Sequence, residues 1–418
     1  MKSIRVQHFS TLEKVGGAAR AANRLHKCLL ESDDKEIFSS MRVARKFSNE
    51  SEIIGPKRYF SSRVRSFLAS QLNYFSKTEE EWIRSFSFIP SLIASEINRG
   101  NYDLIHLHWV QTEFISIEAI GKIKKPIIWT FHDAWPFCGS EHYPKLNNKR
   151  YSEGYLKSNR PSFEQGLDLD KWCWERKLKS LKNKKINIIA PTKWMAELAR
   201  SSVLMKDQKI TVIPNPLPTD IFKPYEKSYS RNFFNLQQNK KFILFGAVSG
   251  IKDPRKGWDL FIKALDYLSS EKYLEIIVLG ESGFLPDKIK GFKLTQISNL
   301  NNDSSIAKLY SAADLVVVPS RSDNLPQLIT EAQSCGTPVV TFNSTGLKEC
   351  IENLETGFLA NSLIPESLAV GIKWILESEV RYQRLSKNSR NFALRNWSYE
   401  VIYSKYKDYY SSIMNDCF

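Results

Sequence analysis

The 418 residues carry 60 Lys and Arg against 45 Asp and Glu, a net charge of +15, with 42% hydrophobic and 25% charged residues. This composition excludes a disordered or low-complexity chain, and the length exceeds what one hydrophobic core ordinarily fills, so two domains are expected. No apolar run approaches the ~20 residues of a spanning helix, and the six cysteines (28, 138, 173, 335, 350, 417) form no Cys-x-x-Cys pair; a cytoplasmic protein without disulfides or structural zinc, touching a membrane at most at its surface, is the expectation.

In the first half, short apolar runs at 4–9, 36–42, 103–109, 126–131, 186–190 and 209–213 alternate with helical patterns. That alternation predicts βα units and a parallel sheet. The first run reads as a strand rather than a secretory leader. Val15-Gly16-Gly17 follows it and precedes an Ala-rich helix. Paired glycines let a backbone approach a ligand, and a helix N-terminus favours phosphate. The stretch 56–88 interleaves Lys57, Arg58, Arg63, Arg65 and Arg84 with Tyr59, Phe60, Phe67, Tyr74, Phe75, Trp82 and Phe86. It suits an amphipathic basic helix on anionic lipid headgroups, or a helix packed on its own domain with a solvated basic rim.

His106 and His108 fall on one face of their strand because side chains alternate with period two. His132 follows the strand at 126–131. An imidazole there can donate to a phosphate or a sugar hydroxyl, or can cap or pack locally. Three histidines in reach of one another also raise a metal site, which would need an open, supported ligand geometry. Trp135 is expected to wall a pocket.

Pro214-Asn-Pro-Leu-Pro218 and Pro224 form a stiff, non-helical link. Domains are expected at 1–216 and 217–395, with a helical tail at 396–418. Strand runs resume at 241–248, 274–280, 291–297, 314–319, 338–342 and 357–360. The turn from Gly246 to Gly257 is glycine-bearing and ends in Arg255-Lys256, two cations suited to a diphosphate. Residues 319–338 then read Pro-Ser-Arg-Ser-Asp-Asn-Leu-Pro-Gln-Leu-Ile-Thr-Glu-Ala-Gln-Ser-Cys-Gly-Thr-Pro. Pro326 suits a first helical position, and Gly336 with Pro338 ends the helix. The helix N–H groups therefore emerge at the carboxyl edge of a sheet, where open α/β folds hold phosphates and sugars. Asp323 and Glu331 frame that turn.

The phrase from Asp323 through Glu331 to Cys335-Gly-Thr-Pro338 resembles the acidic-x7-acidic signature of retaining glycosyltransferases of family 4. Gly16-Gly-Ala-Ala-Arg-Ala-Ala22, Thr130-Phe-His-Asp-Ala-Trp-Pro-Phe137, Ala190-Pro-Thr-Lys-Trp194, Val212-Ile-Pro-Asn-Pro216, Asp253-Pro-Arg-Lys-Gly257 and Ser311-Ala-Ala-Asp314 resemble further landmarks in the family's order. The resemblance implies a GT-B fold: two Rossmann-like domains facing across a cleft, with a last helix crossing back to the first. It implies a metal-independent, retaining hexosyl transfer from a nucleoside diphosphate sugar, with no other cofactor. Asp323 would hold the donor sugar, assisted by the backbone N–H groups of Asn324 and Leu325. Glu331 would bind the ribose, Lys256 and Arg255 the diphosphate, and Gly16 and Gly17 would face phosphate and acceptor. His132, in the phrase most like enzymes of bacterial exopolysaccharide, capsule or O-antigen synthesis, joins the catalytic set.

The expected base is uracil rather than guanine, and the expected acceptor a lipid-linked glycan at the inner membrane face. A nucleotide-sugar epimerase or hydrolase on the same fold is the alternative within enzymes. A basic nucleic-acid-binding protein is the alternative outside them, but the cations form no helix-turn-helix, zinc-finger or basic-zipper pattern, and no nucleic acid is expected.

Overall fold

The computed structural model describes residues 3–416 apart from 57–59, 79–82, 145–147, 247–249, 269–270, 281–282, 284, 299 and 301. Lys57, Arg58, Tyr59, Trp82, Cys417 and the 247–249 part of the glycine-bearing turn therefore lie outside the described residues. The chain divides into two compact units, 1–215 with 403–418, and 216–402.

The first unit is built on a seven-stranded sheet. Its strands, in spatial order, are Ile53–Ile54, Ile37–Arg45, Ile4–Leu12, Leu104–Leu107, Ile127–Thr130, Ile186–Ala190 and Lys209–Val212, all parallel. The central strands are buried along their whole length, as their near-continuous Ile, Leu and Trp content requires of a sheet covered on both faces. Helix Gly17–Leu30 packs Ala22 against Met41, Val43 and Ile53. The last helix, Tyr399–Asn415, leaves the second unit and from Tyr403 onward belongs to the first. There Tyr403 and Lys407 bind Asp34, Lys407 also meets Glu36 at 2.8 Å, and the Tyr410 hydroxyl lies 2.7 Å from His106 Nδ1.

The second unit repeats the plan. Its sheet runs Lys288–Ile289, Phe292–Ile297, Leu274–Leu279, Lys241–Gly246, Leu315–Val318, Val339–Phe342 and Gly357–Ala360, parallel except for the first strand. Asp314, at the foot of one strand, ties the sheet together: it accepts from the Phe242 N–H and from Arg231 Nη2, each at 2.7 Å, and from Lys227 Nζ at 3.1 Å. All twelve expected strands are present.

Three expectations change. Pro326 caps helix Gln327–Ser334 from just outside it, with extended backbone, rather than opening it. Trp135 is fully buried, its indole donating to the Ser85 carbonyl, so it belongs to the core and not to a pocket wall. Of the cations in 56–88, Arg84 is held inside by Asp170 and Ser140, and Arg65 donates to the carbonyls of Glu113, Ile89 and Pro90. Those two stitch the unit together and are not a solvated rim.

The described cysteines 28, 138, 173, 335 and 350 are free and buried. Among the described residues no helix is long and apolar enough to cross a membrane.

Candidate active site

In the second unit, strand Leu315–Val318 delivers the loop 319–326 at the carboxyl edge of the sheet, beside the end of strand Lys241–Gly246. A short helical turn, Pro254–Lys256, is folded against that loop. Asp253 caps the turn by accepting from the Arg255 N–H at 3.0 Å. Arg321 N–H donates to the Arg255 carbonyl at 2.8 Å, and the Arg321 guanidinium forks onto Asp259 at 2.8 and 2.7 Å. Gly257 closes the junction with φ +71°, and a Cβ there would stand 1.9 Å from the Pro319 carbonyl oxygen. Only glycine fits.

This clamp brings the predicted cations onto the predicted acid. Lys256 Nζ lies 2.6 Å from Asp323 Oδ2, and Arg255 Nη1 3.6 Å from the same oxygen. Burial alone would raise the Asp323 carboxyl, but Lys256 and then Arg255 hold it below the usual carboxylate range. Burial likewise lowers the Lys256 ammonium despite its partner. The Asn324 N–H points at Asp323 Oδ1, at 3.2 Å, so it supports the acid directly. Leu325 is buried next to it. The Asp323 backbone is fixed in turn by Thr345 Oγ1, which accepts its N–H at 3.4 Å, and by the Gly346 N–H, which donates to its carbonyl at 3.1 Å. A Cβ on Gly346 would come within 1.8 Å of the Asn324 carbonyl oxygen. Glu331 sits in helix Gln327–Ser334, 2% exposed, and its Oε2 accepts from the Tyr310 hydroxyl at 2.8 Å.

Asp253, Asp259, Arg321, Thr345, Gly346 and Tyr310 were not singled out from the sequence. Asp253, Arg321, Thr345 and Gly346 hold backbone, Asp259 holds the Arg321 guanidinium and Tyr310 the Glu331 carboxylate, and only the folded turn and loop bring them together. The available signals were that Arg321 lay inside the 319–338 phrase and that Asp253 opened the Asp253-Pro-Arg-Lys-Gly257 phrase.

The remaining predicted residues lie in the first unit. Gly16 caps helix Gly17–Leu30 with φ +90°, and a Cβ at Gly16 or Gly17 would meet nothing within 4 Å. His132 follows strand Ile127–Thr130, and its Nε2 lies 3.1 Å from His108 Nδ1. Neighbouring Asp133 is buried, accepting from Trp109 Nε1 at 2.8 Å and pairing with His142 Nδ1 at 2.6 Å. Burial pushes the His132 imidazolium down to about 4, against the pull of Asp133.

Two Rossmann-like sheets, one in each unit, with a charged turn at a strand edge of the second, are the elements of the GT-B fold. The family models agree: residues 15–221 match "Glycosyltransferase Family 4" and residues 228–392 match "Glycosyl transferases group 1". The chain belongs to the group 1, family 4 glycosyltransferases. It is similar to the D-inositol 3-phosphate glycosyltransferase of Segniliparus rotundus, 30% identical over 43% of this chain and 42% of that one. It thus spans about two fifths of that relative's length. Among solved structures, sucrose-phosphate synthase from Thermosynechococcus elongatus shares the fold at TM-score 0.68 and 16% identity, covering 99% of this chain and 100% of that one. Anabaena Alr3699/HepE in complex with UDP-glucose does so at TM-score 0.65 and 15% identity, covering 98% and 100%.

Proposed function

We propose that this glycosyltransferase moves a sugar, with retention and without a metal ion, from a uridine diphosphate sugar to a hydroxyl of a lipid-linked glycan in bacterial surface polysaccharide synthesis. The observation that carries the reading is the convergence of Lys256 and Arg255 on Asp323 at the strand edge. At rest the two cations are balanced by Asp323 and by Asp253, whose Oδ2 lies 2.9 Å from Arg255 Nη2; a diphosphate leaving group would draw Lys256 and Arg255 onto its oxygens, and Asp323 remains to hold sugar hydroxyls. Glu331, in the helix that follows, is assigned to the ribose, and Gly16 and Gly17 to phosphate and acceptor.

Departure of the diphosphate breaks the anomeric C–O bond. One of its oxygens then takes the acceptor's proton as the acceptor attacks on the same face. The protein's contribution is positional and electrostatic, with charge placed in advance where it develops. The uridine base is supported by the UDP-glucose bound to the structurally similar Alr3699/HepE. The membrane-borne acceptor is supported by an outward apolar face: Val64, Phe67 and Leu68 share one side of helix Phe60–Ser70 and are exposed.

The relative from Segniliparus rotundus carries a different acceptor in its name, and a soluble inositol phosphate is therefore the second acceptor class to test. Purified protein would be incubated with UDP-glucose, UDP-N-acetylglucosamine and GDP-mannose, with and without EDTA, and with either acceptor class. UDP release that survives EDTA, and an α-linked product from an α-linked donor, are expected. No nucleotide release under any condition sinks the reading, and conversion of the donor without acceptor turns it into an epimerase.

A further inference from the structure

Lys227, Arg231, Lys240 and Lys241 meet at the amino edge of the second unit's sheet, the end opposite the charged turn. With Asp314 and Glu379 they line a cavity of about 550 Å³. Lys241 opens strand Lys241–Gly246 and Asp314 stands just before strand Leu315–Val318, so parallel pairing puts both at the same edge. Lys227 and Arg231 lie one turn apart on helix Lys227–Phe233. Tyr382, on helix Glu379–Trp397, accepts from Lys227 Nζ at 2.8 Å and closes one side. The lining runs from residue 224 to residue 386 and so belongs wholly to one unit.

A structural ion pair accounts for half of these cations. Asp314 is 1% exposed and accepts from the Phe242 N–H, from Arg231 and from Lys227. Buried Arg231 gives its other N–H groups to the carbonyls of Ala312 and Gln238. Lys241 is left at 3.6 Å from Asp314 and 3.7 Å from Glu379, both beyond hydrogen-bond length. Lys240 Nζ reaches the Lys272 carbonyl at a long 3.4 Å. Each ammonium carries three donors, so both retain donors for a ligand. Four cations against two carboxylates leave the lining an excess of two positive charges.

The positive surface continues past Lys240. That residue also borders a second cavity of about 410 Å³, where Lys272, Lys288, Lys290 and Lys293 surround Glu275. Clefts lined by one sign of charge focus the potential and gather counter-ions, whereas cations on an open face are screened by salt.

We propose that the first cavity is a binding site for a small phosphate-bearing anion of at least two negative charges, held by Lys240 and Lys241. Compact ammonium groups suit phosphate oxygens as point charges. The excess charge of the lining sets the charge of the ligand. The volume sets its scale, with room for a diphosphate or a phosphorylated small molecule. The site is distinct from the donor turn because it lies at the other end of the same parallel strands.

Calorimetric titration of the full-length protein at low salt tests this, with inorganic pyrophosphate and glycerol 2-phosphate as probes. Saturable binding below about 10 mM is expected, weakening as salt rises. The tighter probe tells whether the ligand is free inorganic phosphate or a phosphate ester. Lys240→Gln combined with Lys241→Gln should weaken binding at least about tenfold, because two charge-assisted contacts are lost. Gln383→Glu keeps every cation but adds a carboxylate to the lining, and a loss of about threefold or more is expected. Pyrophosphate also suits the donor turn, so Lys256→Ala is the control, and the foot component should persist in it. The absence of saturable binding in the parent overturns the proposal. So does parental affinity in a folded foot variant, or a binding component that Lys256→Ala alone removes. Melting temperatures within about 3 °C of the parent's show that the variants fold. The readout is binding, so the outcome does not depend on whether a sugar donor is turned over.

Discussion

Lys256 and Asp323 hold each other at 2.6 Å at the site edge, and each is stabilised in its charged form by the other against burial. A bound diphosphate would draw Lys256 towards phosphate oxygens as the leaving group gains charge. Lys256→Ala should therefore cost about two decades or more in kcat/KM, roughly 3 kcal/mol of transition-state stabilisation. Glu331→Gln keeps the size and the Tyr310 contact but removes the charge assigned to the ribose, and a similar loss is expected. Steady-state kinetics beside a thermal unfolding curve check both. Near-parental activity in the two variants removes these residues from the site, whatever the family. Gly257 tests the scaffold rather than the chemistry. With φ +71° and the Pro319 carbonyl 1.9 Å from a Cβ, Gly257→Ala must move the clamp. A loss of roughly 2 kcal/mol or more in urea unfolding is expected, with donor binding weakened. A variant as stable as the parent would show that the clamp gives way easily.

At the scale of elements, the strands were legible because each buried parallel strand is a short β-branched or apolar run between polar turns, as in Ile186–Ala190 and Leu315–Val318. The Asp323-to-Glu331 turn was legible for the same reason: strand, loop and helix follow one another locally. What escaped was non-local. Arg321 clamping the 254–256 turn, Thr345 and Gly346 bracing Asp323, and Arg65 tying its helix to three distant carbonyls depend on contacts between elements far apart in sequence. The cluster of His8, His106, His108 and His132 is of the same kind, since single-strand periodicity placed His106 with His108 but could not bring His8 within 3.0 Å of His108.

That cluster also makes a thermodynamic prediction. Burial lowers His8, His106, His108 and His132, and also His26 on helix Gly17–Leu30, with His26 and His132 near 4. The facing groups are Glu50 and Glu52 for His26, Tyr410 for His106 and Asp133 for His132. Below about 6.5 the unfolded chain takes up protons that the folded chain refuses. Stability is thus fully present above that pH and falls as pH drops towards 4, by up to ~1.4 kcal/mol per pH unit for each histidine. The urea midpoint should drop steeply between pH 6.5 and pH 5. A midpoint unchanged down to pH 5 would show these imidazoles to be hydrated.

For the whole molecule, a net charge of +15 draws the protein to any anionic surface, but charge alone gives weak, salt-sensitive contact. The apolar residues around helix Phe60–Ser70 add a second term. Arg65 fastens one side of this helix to the body of the unit, and Val64, Phe67 and Leu68, spaced as i, i+3 and i+4, stay outside with Phe67 64% exposed. Tyr74, Phe75 and Leu92 extend the exposed apolar surface along the chain. A soluble protein gains nothing from such a face unless something apolar covers it. Inserting Phe67 and Leu68 below the headgroups is worth roughly 2 kcal/mol each. The parent protein should sediment with vesicles of mixed phosphatidylglycerol and phosphatidylcholine, less so at high salt. Phe67→Ser with Leu68→Ser should lower the partition coefficient about a hundredfold or more, while nucleotide release from the donor, which depends on the second unit's charged turn, stays near the parent's. Arg65 is left intact because its substitution would loosen the helix and confuse the result. Equal sedimentation of parent and double variant would mean that charge alone makes the contact, and no sedimentation of the parent at low salt would leave the soluble acceptor as the better reading.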